Sequence, residues 1–359
     1  MTVYDCVILH NAATETEKAG SREIIYASCG ARLEVGAIEE SLREGGYSPR
    51  VIAVSAFSEN LIRHLKELSP KFVFNLLEEI DGDCAMEMAT AGLLELMQIP
   101  FTGSDSFALG LALRKYHAKL ALQAAGVPVP RGILCASGES GFPFPGERSG
   151  GRDELQFPLI VKPVREDASL GVNNDSVCRT PDAVRRQVRY VHDVYRQEAL
   201  VEEYIDGREF NVSVIGDPEL AEPEVLAISE IDFSGMPETE HKIVSYRAKW
   251  DEESLAYRGT TPICPARLSR KDEARIREVA LQSYRVIGCR DYGRIDMRMD
   301  AAGNPYVLEV NPNPDLSPDA GFARAVRAAG LSYPEIILGI CQAAMVRGPK
   351  SGKDTLHAF

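Results

Sequence analysis

The sequence predicts an α/β protein whose C-terminal part is α+β. Its 359 residues are 45% hydrophobic and 26% charged, which is typical of a globular protein. At about 150 residues per domain, this length predicts two or three domains. Strand and helix patterns alternate in the first third, whereas strand patterns dominate the last third. We predict an N-terminal domain over 1–113, a central domain over 114–205, a C-terminal domain over 206–347 and a polar tail over 348–359.

Near-continuous apolar runs mark the strands of the first third. Such strands are typical of a parallel sheet that helices cover on both faces. Turn residues such as Gly45-Gly46 separate these runs from amphipathic stretches. The pattern predicts strands at 3–9, 51–56, 72–77 and 99–102, and helices at 36–44, 61–68 and 85–97.

The remaining chain combines more strands with longer helices. A segment rich in glycine, proline and serine at 137–153 is typical of a surface loop. Helical periodicity predicts helices at 113–125, 182–195, 272–287 and 333–345. Apolar runs predict strands at 132–135, 159–164, 200–205, 209–215, 225–233, 292–299 and 306–310.

Composition and charge exclude several classes of protein. The 40 basic and 53 acidic residues give a formal net charge of −13, which argues against a general nucleic-acid binder. The mean hydropathy is −0.16, and no apolar run approaches the roughly 18 residues of a membrane span. The eight cysteines form no CxxC motif, and the N-terminus lacks the basic region of a signal peptide. We expect a cytoplasmic protein with neither nucleic acid nor membrane as a partner.

Two strands near the C-terminus carry the strongest polar cluster. Because strand side chains alternate between faces and 300–304 is turn-like, a hairpin would bring two polar faces together. The predicted polar face holds Arg294, Asp296, Arg298, Glu309 and Asn311. The predicted core face holds Ile295, Met297, Leu308 and Val310. Carboxylate and amide oxygens grouped in this way are typical of a Mg²⁺ site.

Two further segments give weaker signals. Lys162 ends an apolar strand and is followed by a polar segment with Ser169 and Gly171, an arrangement that can hold phosphate oxygens. The segment 200–210 leaves one strand and enters another through Gly207, which could form a slot for a base. Neither GxxxxGK[ST] nor GxGxxG occurs, which disfavours P-loop NTPases, Rossmann dehydrogenases and protein kinases.

Taken together and in this order, the segments resemble the ATP-grasp superfamily and, within it, the D-alanine–D-alanine ligase family. The resemblance covers most of the chain. FTGS at 101–104, with the lysines that follow it, resembles the family's PYTGSG…DK segment. The loop at 160–166 resembles VKP.REGSSVG, and 201–209 resembles the E..L.G.E adenine segment. RID at 294–296 and LEVN at 308–311 resemble the paired RID and LE.N signatures. The implied fold is ATP-grasp with an N-terminal parallel-sheet domain.

The resemblance implies an ATP-dependent carboxylate–amine ligase that forms an amide bond through an acyl phosphate. It implies that ATP is bound by Lys115, Lys162, Ser169, Glu202, Glu203, Ile205, Glu209 and Leu308. It implies that two Mg²⁺ ions, or Mn²⁺ in their place, are bound by Asp296, Glu309 and Asn311. Arg294 would stabilise an oxyanion, and Lys249 would lie on the nucleotide side. The partners would be small carboxylate and amine substrates, amino acids or dipeptides, and a homodimer is the family's expected assembly.

The departures from the family pattern lie in the amino-acid half. Trp250 stands where the family has a tyrosine, Asp315 where it has a glycine and Ala168 where it has a serine. No acid at 10–17 can be assigned to the family's first-substrate role. We predict an altered substrate pocket that includes Trp250, Asn313 and Asp315.

Three interpretations remain open from the sequence. The first is an amide ligase that acts either on two D-alanines for the cell wall or on other amino-acid or small-molecule substrates. The second is an ATP-grasp phosphotransferase, against which the retained Arg294 argues. The third is a non-catalytic nucleotide-binding protein, against which the clustered carboxylates argue.

Overall fold

Three β-sheets, one parallel and two antiparallel, organise the chain in this computed structural model, which describes residues 4–12, 22–136, 155–166, 169–251 and 253–348. The strands are β1 (Cys6–Asn11), β2 (Pro49–Val54), β3 (Phe72–Leu76), β4 (Gly132–Cys135), β5 (Leu159–Pro163), β6 (Val177–Cys178), β7 (Ala199–Glu203), β8 (Arg208–Ile215), β9 (Glu224–Val225), β10 (Ser229–Asp232), β11 (Thr261–Ile263), β12 (Tyr292–Met299) and β13 (Pro305–Asn311). The α-helices are α1 (Arg22–Glu44), α2 (Glu59–Leu68), α3 (Glu87–Leu96), α4 (Ser106–Leu113), α5 (Lys115–Ala124), α6 (Pro181–Tyr195), α7 (Tyr246–Trp250), α8 (Leu255–Arg258), α9 (Arg270–Ile287), α10 (Gly321–Ala328) and α11 (Tyr333–Arg347).

The parallel sheet has the strand order β2-β1-β3, with β1 at its centre. The β1 residues Cys6 to Leu9 are fully buried. Because alternate side chains point to opposite faces, Cys6 and Ile8 pack with α1 and α11, whereas Val7 and Leu9 pack with α2 and α3. The prediction of a parallel sheet covered on both faces is confirmed.

The predicted fourth strand at 99–102 is present only as a single parallel bridge between Val73 and Phe101. The Val73 N–H donates to the carbonyl of Pro100 at 2.8 Å, and the Thr102 N–H donates to the Val73 carbonyl at 3.0 Å. Pro100 has no N–H of its own, so it cannot extend the ladder as a donor.

The antiparallel sheets divide the rest of the chain. One has the order β4-β7-β5-β6, and α6 packs Val184, Val188 and Val191 against it. The other has the order β11-β10-β8-β12-β13, with β9 beside β8. On the larger sheet, α9 buries Ile276 and Tyr284 together with residues of β8 and β12. The ATP-grasp α/β fold class predicted from the sequence is confirmed by this arrangement. The predicted loop at 137–153 lies outside the described residues.

Several predicted elements differ in extent from the observed ones. The predicted helix at 113–125 instead begins at Lys115, because Arg114 has a non-helical ψ of 77° and separates α4 from α5. The predicted strand at 225–233 divides into β9 and β10. The predicted helix at 36–44 is the last part of α1, and α10 lies where no element was predicted.

The hairpin of β12 and β13 contains a β-bulge. After the pair Asp296–Glu309, the next pair is Met297–Val307, so Leu308 is an extra residue. Val307 is fully buried in the core, whereas Leu308 is only partly buried. The prediction that Leu308 belongs to the core face is therefore wrong, because a bulge shifts the alternation of the strand by one residue.

Among the described residues, no single helix has both the length and the apolar composition to cross a bilayer. Helices α10 and α11 taken together pass that test, but they are bent by 108° at the break between them.

A buried ion pair joins the N-terminal sheet to the C-terminal sheet. Arg347, at the end of α11, makes two hydrogen bonds of 2.9 Å to Asp291, which immediately precedes β12. Arg347 also pairs with Asp217 and donates to the carbonyl of Phe101 at 2.9 Å. The second oxygen of Asp291 accepts the Gly103 N–H at 2.8 Å. The pair therefore holds the loop that follows α3 against the start of β12.

We expect Arg347→Met to lower the free energy of unfolding by about 3 kcal/mol, because Asp291 would stay buried without its main cation. Burial raises the pKa of Asp291, although Arg347 and Arg290 oppose the rise. Since protonation would relieve the unpaired carboxylate, the deficit should shrink as the pH falls from about 8 to about 5. Urea unfolding followed by circular dichroism measures both effects.

The matched control is Arg43→Met, which removes an exposed helical pair with Glu39. We expect it to cost about 0.5 kcal/mol or less. The role of the buried pair would be contradicted if Arg347→Met lost no more unfolding free energy than Arg43→Met. It would also be contradicted if the loss in Arg347→Met grew as the pH falls.

Candidate active site

The polar face of the larger antiparallel sheet carries the predicted cluster. Arg294 lies opposite Asn311, and Asp296 lies opposite Glu309, as the predicted hairpin requires. The residues that β8 adds opposite Arg294, Asp296 and Arg298 are Ser213, Asn211 and Glu209. Asn211 was not predicted, because only the sheet order places β8 beside β12.

Asp296 is held by three neighbours. Its carboxylate accepts two hydrogen bonds from Arg294, at 2.8 and 2.9 Å. The amides of Asn211 and Asn311 donate to it at 2.7 and 3.2 Å. A fork-to-fork pair with two further donors fixes the orientation of the carboxylate.

Glu309 lies among cations. The ammonium group of Lys115 is 3.2 Å from its carboxylate. Burial alone would raise the pKa of Glu309, but Lys115, Lys249, Lys162 and Arg294 outweigh burial and depress it. Glu309 therefore stays ionised at neutral pH, under the charges of Lys115 on α5, Lys162 on β5 and Lys249 on α7.

A second acid, Glu202, is buried between two lysines. Its carboxylate pairs with Lys162 at 2.5 Å and with Lys119. Burial lowers the pKa of Lys119 to about 8. Burial alone would raise the pKa of Glu202, but the two ammonium groups reverse the effect and lower it. Lys119 was not predicted as a site residue, although its position four residues after Lys115 places both lysines on one face of α5.

The charges of this polar cluster, in which we propose a ligand-binding cleft, are unequal. Its six cations are Lys115, Lys119, Lys162, Lys249, Arg294 and Arg298, and its four acids are Glu202, Glu209, Asp296 and Glu309. The charge of Lys249 lowers the pKa of both Glu209 and Glu309. An excess of two positive charges suits a polyanionic ligand such as a triphosphate.

The predicted metal ligands form a set of two carboxylates and one amide. Among the described residues, no group of three or more histidine, cysteine, aspartate and glutamate side chains is close enough to hold a metal ion. Asp296 and Glu309 nevertheless face each other across one strand pair, and Asn311 bonds to Asp296. Hard oxygen donors with few protein ligands fit Mg²⁺, which keeps waters and binds substrate phosphates.

The other predicted ATP-binding residues make contacts of their own. Glu203 points away from Glu202, and its carboxylate accepts the Gln156 N–H at 2.9 Å. The Ile205 carbonyl accepts from Arg298 at 2.9 Å. Ser169 lies in a turn with φ +63°. Leu308 lies at the bulge described above.

The predicted substrate end lies where the N-terminal sheet meets the loop after β13. Asn313 accepts a hydrogen bond from the Tyr292 hydroxyl at 2.8 Å and donates to Glu87 at 3.0 Å. Asp315 accepts the Ser317 N–H at 2.7 Å. Ala168, residues 13–17 and the side chain of Trp250 lie outside the described part of the chain.

Glu34 is an acid at this end that was not predicted. It is buried on α1 and accepts the Leu316 N–H at 2.8 Å. Burial, and then the charges of Asp315 and Glu78, raise its pKa to about 8. The sequence does contain a signal for Glu34. It lies four residues before the core residue Ile38, and this spacing places both side chains on the same, buried face of α1.

The polar face of the larger antiparallel sheet carries acids that lie under the charges of Lys115, Lys162 and Lys249, and this arrangement fits the ATP-grasp class of ligase. The family model for the D-ala D-ala ligase C-terminus matches residues 145–342. The chain is 35% identical over 272 residues to the uncharacterized protein y4sG of Sinorhizobium fredii, a match that covers 76% of this chain and 74% of that one. It is 30% identical over 341 residues to a D-alanine–D-alanine ligase of Marinomonas sp., covering 92% and 98%.

The fold matches a solved D-alanine–D-alanine ligase of Bacillus anthracis in complex with ATP. The TM-score is 0.69 at 20% identity, and the match covers 96% of this chain and 98% of that one. The chain belongs to the D-alanine–D-alanine ligase family and is an ATP-dependent ligase that uses a divalent metal ion.

We expect Glu202→Gln to lower the free energy of unfolding by about 3 kcal/mol, because two buried ammonium groups lose their shared anion. Deprotonation of a buried lysine relieves such a cost, so the deficit should shrink as the pH rises through about 8. Chemical unfolding at several pH values measures this.

The neighbouring variant Glu203→Gln is the control, since its carboxylate lies on the other face, 3.5 Å from the half-exposed Arg131. We expect it to cost less than about 1 kcal/mol at every pH. Equal costs for the two variants would show that Glu202 is not the anion that holds the lysines.

Proposed function

We propose that this protein joins a carboxylate and an amine into an amide at the expense of ATP, through an acyl phosphate, and that its amino-acid pocket differs from that of the D-alanine ligases it resembles. The observation that carries the proposal is the set of ion pairs on one polar face, in which Lys115 lies 3.2 Å from Glu309 and Arg294 lies 2.8 Å from Asp296, the residue opposite Glu309. We also propose that the cleft lies within 114–347, between a central and a C-terminal ATP-grasp subdomain, with 1–113 as the N-terminal domain.

Lys115 and Lys162 are assigned to the phosphates of ATP, with the turn at Ser169 covering them. Glu202, Glu203, Ile205 and Leu308 are assigned to the base, and Glu209 to the ribose. Glu202 supports this assignment because it holds Lys162 at 2.5 Å and Lys119 beside it. A fixed ammonium group needs no reorganisation when charge develops on the transferred phosphoryl group. Lys249 adds a further cation near Glu309.

Asp296, Glu309 and Asn311 would hold the divalent cation, with two Mg²⁺ ions as the proposed number and Mn²⁺ as a substitute. The bound metal would neutralise phosphate charge. Around it, Lys115 keeps Glu309 ionised, and the amides of Asn211 and Asn311 keep the carboxylate of Asp296 oriented.

Arg294 is assigned to the oxyanion of the amide-forming step. Its Nε and Nη2 are committed to Asp296, whereas Nη1 donates to no described residue. Burial opposes its charge, but Asp296, Glu309 and Asp315 raise its pKa, so the guanidinium stays charged. When the substrate amine forms a bond to the acyl carbon, Nη1 would bind the carbonyl oxygen that gains charge. Collapse of this adduct would re-form the carbonyl group, break the bond to phosphate and leave the amide after the nitrogen loses a proton.

The curated ligase from Marinomonas is named for D-alanine, and the proposed pocket here differs in charge. Asp315 and the buried Glu34 place two carboxyl groups at the substrate end. Trp250 and Asn313 complete the pocket as predicted from the sequence. We therefore propose that at least one of the two substrates is not D-alanine.

Phosphate release with Mg²⁺, measured against a panel of D- and L-amino acids and dipeptides and followed by mass spectrometry of products, tests the function. We expect turnover with an acid and amine pair other than two D-alanines, and a product whose mass equals the pair minus water. A D-alanyl-D-alanine product as the preferred one would overturn the altered pocket. Phosphorylated product without amide would overturn the ligase mechanism.

We expect Glu309→Gln to lower ATP turnover by at least about 100-fold while the protein stays folded, because the change removes charge from a proposed metal ligand. The exposed Glu278→Gln on α9 is the control and should turn over ATP like the wild type. Normal turnover in Glu309→Gln would remove Glu309 from the metal site.

A further inference from the structure

Arg298 is a cation of the polar face that the proposed mechanism does not use. It is 3% exposed, and its guanidinium carbon lies 4.9 Å from the ring centre of Tyr204 and 5.7 Å from that of Phe233. Two aromatic rings at these distances stabilise a guanidinium group and limit its rotamers.

The donors of Arg298 tie three segments of the chain together. Nε donates to Glu209 on β8 at 2.9 Å. Nη1 donates at 2.9 Å to the carbonyl of Ile205, in the link between the two antiparallel sheets. Nη2 donates to the carbonyl of Lys242, in the segment that leads to α7 and Lys249. The guanidinium therefore has a single position that satisfies all three.

Arg298 contacts only one of the two carboxylate oxygens of Glu209. Nε and Nη2 lie 2.9 and 2.8 Å from Oε2. The other oxygen, Oε1, accepts no hydrogen bond from a described residue, although Glu209 is only 7% exposed. A buried carboxylate held at one oxygen presents the other to a ligand that can donate, such as a hydroxyl group.

We propose that Arg298 is a positioning residue of the nucleotide site, which orients Glu209 so that Oε1 accepts hydrogen bonds from the ribose hydroxyls of ATP. This inference rests on the ribose role that the proposed function gives to Glu209. Arg298 itself acts through Glu209 and needs no contact with the nucleotide.

The charges around Glu209 support this role. Burial raises the pKa of Glu209, and Arg298 opposes this rise most strongly. The charge of Asp296 raises the pKa further, whereas the charge of Lys249 lowers it. Without Arg298, the carboxyl group would be more easily protonated and free to rotate. Either change makes it a weaker acceptor for a hydroxyl group.

The test is the affinity of the full-length protein for Mg·ATP and for Mg·2′,3′-dideoxy-ATP, measured by isothermal titration calorimetry. The wild type should bind ATP about 10-fold or more tightly than the dideoxy analogue, since charge-assisted hydrogen bonds are lost. In Arg298→Met the ratio should fall to about 2 or less, chiefly through weaker ATP binding, as it should in Glu209→Gln. The variant that combines Arg298→Met with Glu209→Gln should have the same ratio as either single variant, because both residues act through one carboxylate.

Arg208→Met is the matched control. Arg208 precedes Glu209 on β8, but its side chain points to the opposite face of the strand, where it makes two 2.6 Å bonds to Glu230, donates to the carbonyl of Arg267 and lies 5.0 Å from the ring centre of Phe210. Its ATP to dideoxy-ATP ratio should equal that of the wild type. Arg298→Gln, which keeps amide donors for the two carbonyl groups, replaces Arg298→Met if the latter does not fold.

A wild-type ratio in the Arg298 variants overturns the inference, as does a ratio that falls equally in Arg208→Met. If the wild type binds the two nucleotides with equal affinity, both the inference and the ribose role of Glu209 are overturned. If that shared affinity is high, the proposed ligase function still stands. Failure of the wild type to bind ATP at all would instead overturn the proposed function.

Discussion

Asp291 and Arg347 meet where the parallel sheet, the start of β12 and the last turn of α11 converge. A charge buried without a partner costs several kcal/mol, so this pair selects one packing of the two halves of the chain. Tyr292, the next residue, packs with Phe322 and donates its hydroxyl to Asn313. The junction that joins the sheets thus also positions Asn313, a residue of the proposed substrate end.

Acids and cations neutralise one another along the cleft. Glu202, Asp296 and Glu309 each have a cationic partner, and Glu209 has Arg298. The hydrogen bonds within these pairs fix the orientation of the side chains before a ligand arrives. The six cations outnumber the four acids by two, and this net positive charge suits a polyphosphate ligand.

The hairpin and its polar face could be predicted from the sequence because a strand alternates its side chains and a turn reverses it. The same alternation gave the wrong face for Leu308, because a β-bulge adds one residue to the strand and the sequence pattern does not reveal it. Asn211 was missed because its partner Asp296 is 85 residues away. Glu34 and Leu316 were missed for the same reason, since their contact joins two halves of the chain.

The sequence by itself determined the alternation of strands and helices, the motifs of the ATP-grasp class and the identity of the charged side chains, because each depends on neighbours a few residues apart. Tertiary structure alone decided that Lys119 shares Glu202 with Lys162, and that Arg298 binds Glu209. Those contacts depend on the order and register of strands that are distant in the chain. Their energies come from burial, which local pattern does not specify.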